Sequence, residues 1–210
     1  MARRTDAGML DGALAVPIRW IHNRRPLLTA FFVIAAIAYV FWRDLPPMDL
    51  LDLQADPLFV VVWMAILSGV AVRIWGSGNL RKNREVTRTG VYRMVRHPLY
   101  VGSLLVFLAF FLSLGAPIVG LILFLAMVVL VYYPTMMSEE AHLARKFPDQ
   151  AEQHVGLSRL VPDLRLLPEA IRTDRFTLEA SRNNLGLRSL WTILLLPLFL
   201  KLLAFLQQAI

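Results

Sequence analysis

The chain has 210 residues, 57% of them hydrophobic, and a mean hydropathy of +0.57. Soluble domains have an apolar share of about half, and here the apolar residues also occur in blocks, which predicts a polytopic membrane protein with a single domain over residues 1–210. The absence of cysteine excludes disulfides, thiolate metal sites and a cysteine nucleophile. The net charge of +7 fits arginine-rich loops beside anionic lipid, so we expect membrane lipid, and not nucleic acid, as a partner.

The amino-terminal segment carries Arg3 and Arg4. No adjoining apolar run ends in a small-residue cleavage site, so we expect no removable signal peptide. Residues Met9–Ile21 alternate apolar and small residues around Pro17, a pattern compatible with a short interfacial helix.

Five apolar segments then approach the roughly 20 residues that a membrane-spanning helix needs. The first opens at Pro26, which is tolerated in a first helical turn, and the last contains Pro197, where we expect a kink. The predicted spans are Pro26–Trp42, Pro57–Trp75, Leu99–Leu114, Pro117–Met137 and Leu187–Leu206. The predicted fold class is therefore all-α, a polytopic transmembrane helical bundle of about five spans.

The connection between the third and fourth spans is the short segment Ser113–Pro117. A turn this tight predicts an antiparallel helical hairpin, which brings Arg96 and His97 to the same end as Glu139 and Glu140. Charged groups at membrane depth are unfavourable unless they are paired or bound. Two such clusters at one boundary therefore predict a functional site.

Loop charge predicts the orientation. The connection between the first two spans has Arg43 against four aspartates, whereas the connection between the second and third spans has six basic residues and one glutamate. These basic residues are Arg81, Lys82, Arg84, Arg88, Arg93 and Arg96. We expect the basic connection, the amino terminus and both polar clusters to face the cytoplasm, in a multi-pass protein of the inner (cytoplasmic) membrane.

Two helices are predicted after the fourth span. Glu139–Gln153 has Leu143 and Phe147 at a helical spacing, with acidic residues early and basic residues late. Glu169–Arg182 is compatible with a second, short surface helix.

His97 stands before Pro98, which biases its backbone towards an extended conformation and opens the third span after it. The free amide groups of that helix start favour an anionic group, and Arg96 offers a planar fork for a carboxylate. The alternative is an arginine–histidine boundary that reaches to lipid phosphate.

Two tyrosines, Tyr92 and Tyr100, flank this boundary. They are candidates for contacts around a bound cofactor, or for the aromatic belt of the membrane interface. Gly102 permits the close approach of a ligand or a neighbouring helix. Glu139 and Glu140 can accept ribose hydroxyl protons or balance a sulfonium or ammonium charge; the alternative is a solvated helix end.

Other site types find little support. The four histidines lie on different segments without an accompanying acidic cluster, so we expect no metal site. Ser138 lacks a histidine–acid relay at a readable spacing. Gly76–Gly78 follows a predicted membrane helix and not a strand, which excludes a dinucleotide-binding loop.

Two ordered motifs resemble a known family. The first runs through Val95-Arg96-His97-Pro98-Leu99-Tyr100-Val101-Gly102, and the second is Glu139-Glu140-Ala141-His142-Leu143 followed by Phe147. With an apolar hairpin between them, this order resembles the isoprenylcysteine carboxyl methyltransferase and phospholipid methyltransferase superfamily of integral membrane enzymes. The resemblance covers roughly residues 72–162.

The resemblance implies a cytoplasmic pocket for S-adenosylmethionine, closed by the loop before the third span and the segment after the fourth. The residues that it implies for the cofactor are Tyr92, Arg96, His97, Tyr100, Gly102, Glu139 and Glu140, with Gly78 and Lys82 at the upstream edge. Near the acceptor we expect catalytic roles for Glu140, if the acceptor is an amine, or Arg145, if it is a carboxylate. The implied activity is O- or N-methylation of a lipophilic small molecule or lipid.

The chain departs from the family downstream of Phe147. Pro148, Ala151 and His154 stand where the family has a glycine and two tyrosines, so isoprenylcysteine is a poor candidate for the acceptor. Residues 163–210, a surface segment with an additional span, lie outside the resemblance. Two alternatives remain open: a nicotinamide-dependent membrane reductase of the sterol-reductase type, and a non-catalytic lipid-binding membrane protein. The oligomeric state is not specified by the sequence.

Overall fold

The structure, a computed structural model, describes residues 15–53, 56–82, 84–148 and 156–209. Within these ranges it contains helices and no strands, as the sequence predicts. The helices are α1 (Ala15–Trp42), α2 (Pro57–Asn79), α3 (Pro98–Leu112), α4 (Pro117–Met127), α5 (Tyr133–Lys146), α6 (Leu167–Arg172), α7 (Leu178–Asn183) and α8 (Trp191–Gln208). Short 3-10 turns lie at Gly90–Arg93, Leu164–Leu166 and Leu187–Leu190.

Four of the described helical segments are long and apolar enough to cross a membrane. They are Trp20–Trp42, Pro57–Asn79, Pro117–Lys146 and Leu187–Gln208. The predicted third span is the 15-residue helix α3, which at 1.5 Å per residue is about 22 Å long and so shorter than the roughly 30 Å hydrocarbon core of a bilayer. The described part of the chain thus has four long apolar helices and a shorter fifth.

The start of the first span differs from the prediction. Pro26 lies inside α1 and does not open it, because α1 already begins at Ala15. The helix absorbs this proline although the His22 carbonyl loses its usual amide donor. Of the predicted interfacial helix Met9–Ile21, residues 15–21 belong to α1, and the remainder lies outside the described residues.

The Asp56 carboxylate caps α2 by accepting a bond from the Leu58 amide at 2.8 Å.

α2 and α3 pack closely along glycines. A side chain on Gly69 would meet the Gly102 carbonyl oxygen at 2.8 Å, and one on Gly102 would meet the Gly69 carbonyl oxygen at 2.6 Å. The two backbones therefore approach to a distance that only glycine allows.

The hairpin between α3 and α4 is as tight as predicted. Gly115 turns the chain at φ +79°, a region that favours glycine. The Ser113 carbonyl accepts a bond from the Met48 amide at 2.7 Å, and a Cβ on Gly120 would overlap the backbone of Phe111. The connection between α1 and α2 is thereby fixed to this turn.

The fourth span and the first part of the predicted helix Glu139–Gln153 form one continuous helix, which ends at Lys146. α4 continues through a π-helical turn at Val128–Tyr132 directly into α5, next to Pro134, which has no backbone N–H to donate. The helix that carries Glu139 therefore begins at Tyr133 and ends at Lys146, earlier than predicted. The remainder of the predicted helix lies largely outside the described residues.

The predicted surface helix Glu169–Arg182 is two short helices, α6 and α7, with non-helical residues at 173–177 between them. Here the chain docks on the end of α2. Buried Asn79 accepts from the Arg175 amide at 2.9 Å and donates to Asp174 at 2.6 Å, and Asn184 donates to the carbonyls of Ser77 and Leu80. These hydrogen bonds to the end of α2 hold the segment in place of the continuous helix that was predicted.

α8 returns through the bundle. It starts after α7, which packs on the carboxyl end of α2, and ends where Gln207 donates to the carbonyls of Val40 and Leu45 at 3.2 and 3.1 Å. Leu200 and Leu203 join the main apolar core. The successive long helices therefore alternate in direction, with the α1–α2 connection at one end and the α2–α3 connection at the other.

Candidate active site

His97 lies at the start of α3, where the sequence predicts it. Its backbone has φ −122° and ψ 63°, outside the helical region, and Pro98 takes the first helical position. The side chain is buried, with 8% of its surface exposed. The imidazole is therefore fixed between the end of the bundle and the segments that cover it.

Glu140 of α5 meets His97 across the hairpin. Its Oε1 atom lies 3.0 Å from His97 Nε2 and 3.5 Å from Arg96 Nη1. Arg159 donates from Nε to both carboxylate oxygens at 3.1 Å and from Nη2 to Oε2 at 2.8 Å. A carboxylate with this many cationic donors is held in one orientation.

Glu139 approaches the other side of the same imidazole. Its Oε2 atom lies 3.8 Å from His97 Nδ1, and its side chain is 42% exposed against 22% for Glu140. The two adjacent glutamates thus face the two ring nitrogens of one histidine. Of the two carboxylates, Glu139 is the more accessible to a ligand.

Aromatic rings continue the site towards the bundle interior. The Tyr100 ring contacts His97 edge-on at 5.6 Å between centroids and Tyr132 at 5.9 Å. Tyr92 is buried beside the loop before α3, and burial together with the nearby charge of Glu139 raises the pKa of its phenol. Its hydroxyl is therefore neutral at physiological pH.

The two segments predicted to close the pocket contact each other. The Arg96 amide donates to the Ser158 carbonyl at 3.0 Å, and the Asp163 amide donates to the Met94 carbonyl at 2.9 Å. Arg93 also pairs with Glu169. Backbone bonds thus fix residues 156–163, and with them Arg159, over the start of α3.

The structure leaves four predicted site residues out of this cluster. Gly102 packs against Arg73 and Gly69 of α2, and a side chain on Gly78 would collide with the Phe176 ring, so both glycines are close to other parts of the protein. Lys82 is exposed and lines a separate surface cleft of about 310 Å³ with Arg81 and α7.

Arg145 is the fourth of these residues. It lies exposed in the last turn of α5. Among the described residues, the guanidinium groups that meet Glu140 are those of Arg96 and Arg159. The described partner of the Glu140 carboxylate after α5 is therefore Arg159.

Sequence reasoning missed two residues of the site, Arg159 and Arg25. Arg159 follows both motifs that carry the family resemblance and belongs to neither of them. Arg25 of α1 donates to the Tyr100 hydroxyl at 2.8 Å, and its only sequence signal was a basic residue close to a predicted membrane end.

The chemistry of the cluster fits a cofactor that carries both a carboxylate and positively charged groups. Arg96 Nε is buried and has no hydrogen-bond partner among the described residues, and an unused buried guanidinium donor is suited to a carboxylate. The half-exposed Glu139 suits an ammonium group or ribose hydroxyls. Within the described residues, no three histidine, aspartate or glutamate side chains gather as metal ligands.

These features define a multi-pass helical membrane protein with a polar site at one end of its bundle. Residues 56–150 match the family model of phospholipid methyltransferases, which confirms the resemblance to the superfamily that the motifs predict. The matched segment includes His97, Glu139 and Glu140, whereas Arg25 and Arg159 lie outside it. No curated protein and no solved structure matches the chain. The match suggests a membrane methyltransferase.

Proposed function

We propose that this protein transfers a methyl group from S-adenosylmethionine to a nitrogen or oxygen atom of a lipid or lipophilic acceptor. The observation that carries the proposal is the meeting of His97, Glu139 and Glu140 at one end of the hairpin, within the segment that matches phospholipid methyltransferases. A non-catalytic membrane protein gains little from a buried histidine between two carboxylates, because charged groups at membrane depth are unfavourable unless they are paired or bound.

Three side chains are suited to hold the cofactor. Arg96, with its unused buried Nε, would bind the carboxylate. Glu139 would accept bonds from the ribose hydroxyls or the ammonium group, and the Tyr100 ring offers its aromatic surface to the sulfonium. When bound, S-adenosylmethionine supplies a methyl group whose bond to sulfur breaks as the bond to the acceptor forms, leaving S-adenosylhomocysteine and one proton from the acceptor.

The protein's own contribution is alignment and proton removal. Glu140 is held by Arg159 and His97, so it fixes the imidazole and Arg96 in place and borders the acceptor. Glu139 is the more exposed carboxylate and is suited to attract an amine or take up its proton. The predicted catalytic role of Arg145 is not retained, because this side chain is exposed away from the cluster.

The position of the site at one end of the bundle also suggests which side of the membrane it faces and how an acceptor reaches it. The basic connection Arg81–Arg96 precedes α3, so the positive-inside tendency favours a cytoplasmic site. A pocket at a helix end suits an acceptor whose reactive group reaches the boundary while its apolar part stays in lipid.

Calorimetry on the detergent-purified protein tests the proposal. We expect S-adenosylhomocysteine to bind and a reduced nicotinamide cofactor not to bind, which separates a methyltransferase from a reductase. His97→Ala and Glu140→Ala should each weaken binding about tenfold or more, since each removes a charge-assisted contact that positions the site. Asp49→Asn, at the opposite end of the bundle, is the control and should bind normally.

Transfer itself is measured by incubating the protein with a lipid extract and cofactor that carries an isotopically labelled methyl group. The label should appear in a lipid fraction when read by mass spectrometry. Binding of the reduced nicotinamide would contradict the proposed function. Equal affinity for S-adenosylhomocysteine in the wild type and all variants would contradict the proposed site.

A further inference from the structure

A stripe of exposed apolar side chains follows the residue that holds Glu140. The 3-10 turn Leu164–Leu166 continues directly into α6. Leu164 and Ile171 expose 71% and 63% of their surface, and Leu167 between them exposes 39%. Because these three positions are three and four residues apart, they lie on one face of the helical segment. Single exposed apolar residues are ordinary, but a continuous apolar stripe indicates a surface that contacts something apolar.

The other face of this segment is attached to the protein. Ala170 is fully buried. The Asp163 amide donates to the Met94 carbonyl at 2.9 Å, and Glu169 pairs with Arg93. The apolar stripe is therefore held in a fixed orientation and faces away from the loop before α3.

The depth of the apolar stripe follows from the short helix α3. Ser113, at the far end of α3, is bonded to Met48 in the α1–α2 connection, which carries four aspartates and so lies at the far membrane boundary. From there α3 rises about 22 Å, about 8 Å less than the thickness of the hydrocarbon core. Its start at Pro98 therefore lies within the membrane, and Met94, four residues earlier, is at most about 14 Å from that start. The stripe, bonded to Met94 through Asp163, lies at the level of the near boundary.

The charges around the apolar stripe match a membrane surface. Arg165 and Arg172 flank the stripe and are exposed, and at this depth such side chains reach to anionic headgroups. The carboxylates of the segment face the protein instead, because Asp163 accepts from the Arg165 amide and Glu169 pairs with Arg93. An apolar face with basic residues at its edge is typical of a helix that lies in the membrane interface.

We infer that the apolar stripe docks into the interface of the surrounding bilayer and that this contact keeps Arg159 on Glu140. Arg159 precedes Leu164 by five residues and donates to the Glu140 carboxylate at 2.8 to 3.1 Å. Movement of the segment away from the loop before α3 would carry Leu164 and Ile171 from lipid into water, which is unfavourable. The lipid surface is thus a partner that stabilises the site. The docking goes beyond the proposed function, and only its effect on cofactor affinity rests on that function.

Spin labelling of the full-length protein tests where the apolar stripe lies. The chain has no cysteine, so each single-cysteine variant carries a nitroxide at one chosen position. Leu164→Cys and Ile171→Cys label the stripe, and Arg165→Cys and Arg172→Cys are matched neighbours at its edge. In nanodiscs of phosphatidylcholine and phosphatidylglycerol, power-saturation EPR compares collisions with oxygen, which concentrates in lipid, and with a water-soluble nickel chelate. We expect the stripe labels to favour oxygen and the edge labels to favour nickel.

Two results of the spin-label experiment would overturn the inference. Equal access of the nickel chelate to stripe and edge labels would place the stripe in water. Low access of both reagents to the stripe labels would mean that a protein surface, and not lipid, covers it. Spin–spin broadening in that case would identify the covering surface as a second copy of the chain.

The effect of docking on the site is tested by placing one carboxylate at each end of the bundle. Leu164→Asp charges the stripe, and Leu53→Asp makes the same change in the α1–α2 connection, where 93% of Leu53 is exposed. Calorimetry in nanodiscs should show that Leu164→Asp binds S-adenosylhomocysteine about tenfold more weakly, the size of a lost charge-assisted contact, because Arg159 is no longer held over Glu140. Leu53→Asp should bind like the wild type. Should Leu164→Asp fail to fold, Ile171→Asp takes its place.

Equal affinity of Leu164→Asp and Leu53→Asp for S-adenosylhomocysteine would overturn the link between docking and the site. A wild type that does not bind S-adenosylhomocysteine would refute the proposed function instead. The spin-label comparison would still decide whether the apolar stripe lies in lipid.

Discussion

The two ends of the bundle are held together in different ways. At the end that contains the α3–α4 turn, backbone contacts dominate: Ser113 bonds to Met48, and Gly115 and Gly120 allow main chains to touch. At the other end, His97 and Glu140 meet with Arg159 in a half-buried network of charges. The close-packed end is stable without a ligand. The charged side chains at the other end are stabilised by their ion pairs and by a ligand that binds between them. The contrast separates a structural end from the end that carries the proposed site.

The largest expected effect is at the packed end. Gly120→Val places a branched side chain against the backbone of Phe111, which cannot move aside, so we expect a loss of about 2–3 kcal/mol in the free energy of unfolding. Thermal unfolding in detergent, followed by tryptophan fluorescence, measures it. Ile122→Val, on an exposed position of the same helix, is the control. Equal stability of the two variants would mean that this end is not closed by packing.

An intermediate effect is expected at the charged end. A double-mutant cycle with Glu140→Gln and Arg159→Gln should give a coupling energy of about 1–2 kcal/mol, since the two side chains share bidentate bonds and are mostly shielded from water. The same cycle with Arg145→Gln in place of Arg159→Gln should give no coupling, because Arg145 is exposed. Coupling of Glu140 to Arg145 instead would contradict the pairing of Glu140 with Arg159.

The smallest effect is expected for the charge pair of the packed end. Lys201 Nζ lies 3.4 Å from Asp49 Oδ2, with both side chains more than a third exposed, and such pairs contribute well under 1 kcal/mol. A backbone bond from Leu51 and the charge of Lys201 lower the pKa of Asp49 below its usual value of 3.8. The small contribution of the ionised Asp49 to stability is therefore fully present above a pH of 3.8 and is lost as the pH falls through the lowered pKa.

Asp49→Asn should consequently differ slightly from the wild type at pH 7 and not at all in strong acid, as measured by thermal unfolding across this range. A large difference at pH 7 would show that charge also holds the packed end together, which would remove the contrast between the two ends.

Much of the charged end could be predicted from the sequence because it depends on one short turn. Four connecting residues leave α3 and α4 no arrangement other than an antiparallel hairpin, and the hairpin fixes His97 and Glu140 at the same end. Arg159 could not be predicted in this way. Its position depends on where α5 ends and on backbone bonds to Arg96 and Met94, which no local pattern encodes.

The glycines show the same limit. From the sequence, Gly102 is compatible with a ligand contact or a helix contact, and Gly78 is expected at the edge of the cofactor pocket. Only the positions of Arg73 beside Gly102 and of Phe176 beside Gly78 show what these glycines contact. Pro26 is a further example, because a proline that can open a helix is also tolerated within a longer one.

The sequence alone determined that the protein is an all-helical membrane protein with two polar motifs joined by a hairpin, because hydropathy, helix period and turn length act over neighbouring residues. The link of those motifs to methyltransferases came from their resemblance to a known family. The tertiary structure decided which arginine holds Glu140, which residues fill the spaces beside the glycines, and that α1 brings Arg25 to Tyr100. Those contacts join residues far apart in the chain, and their free energy depends on burial and charge that exist only once the helices have packed.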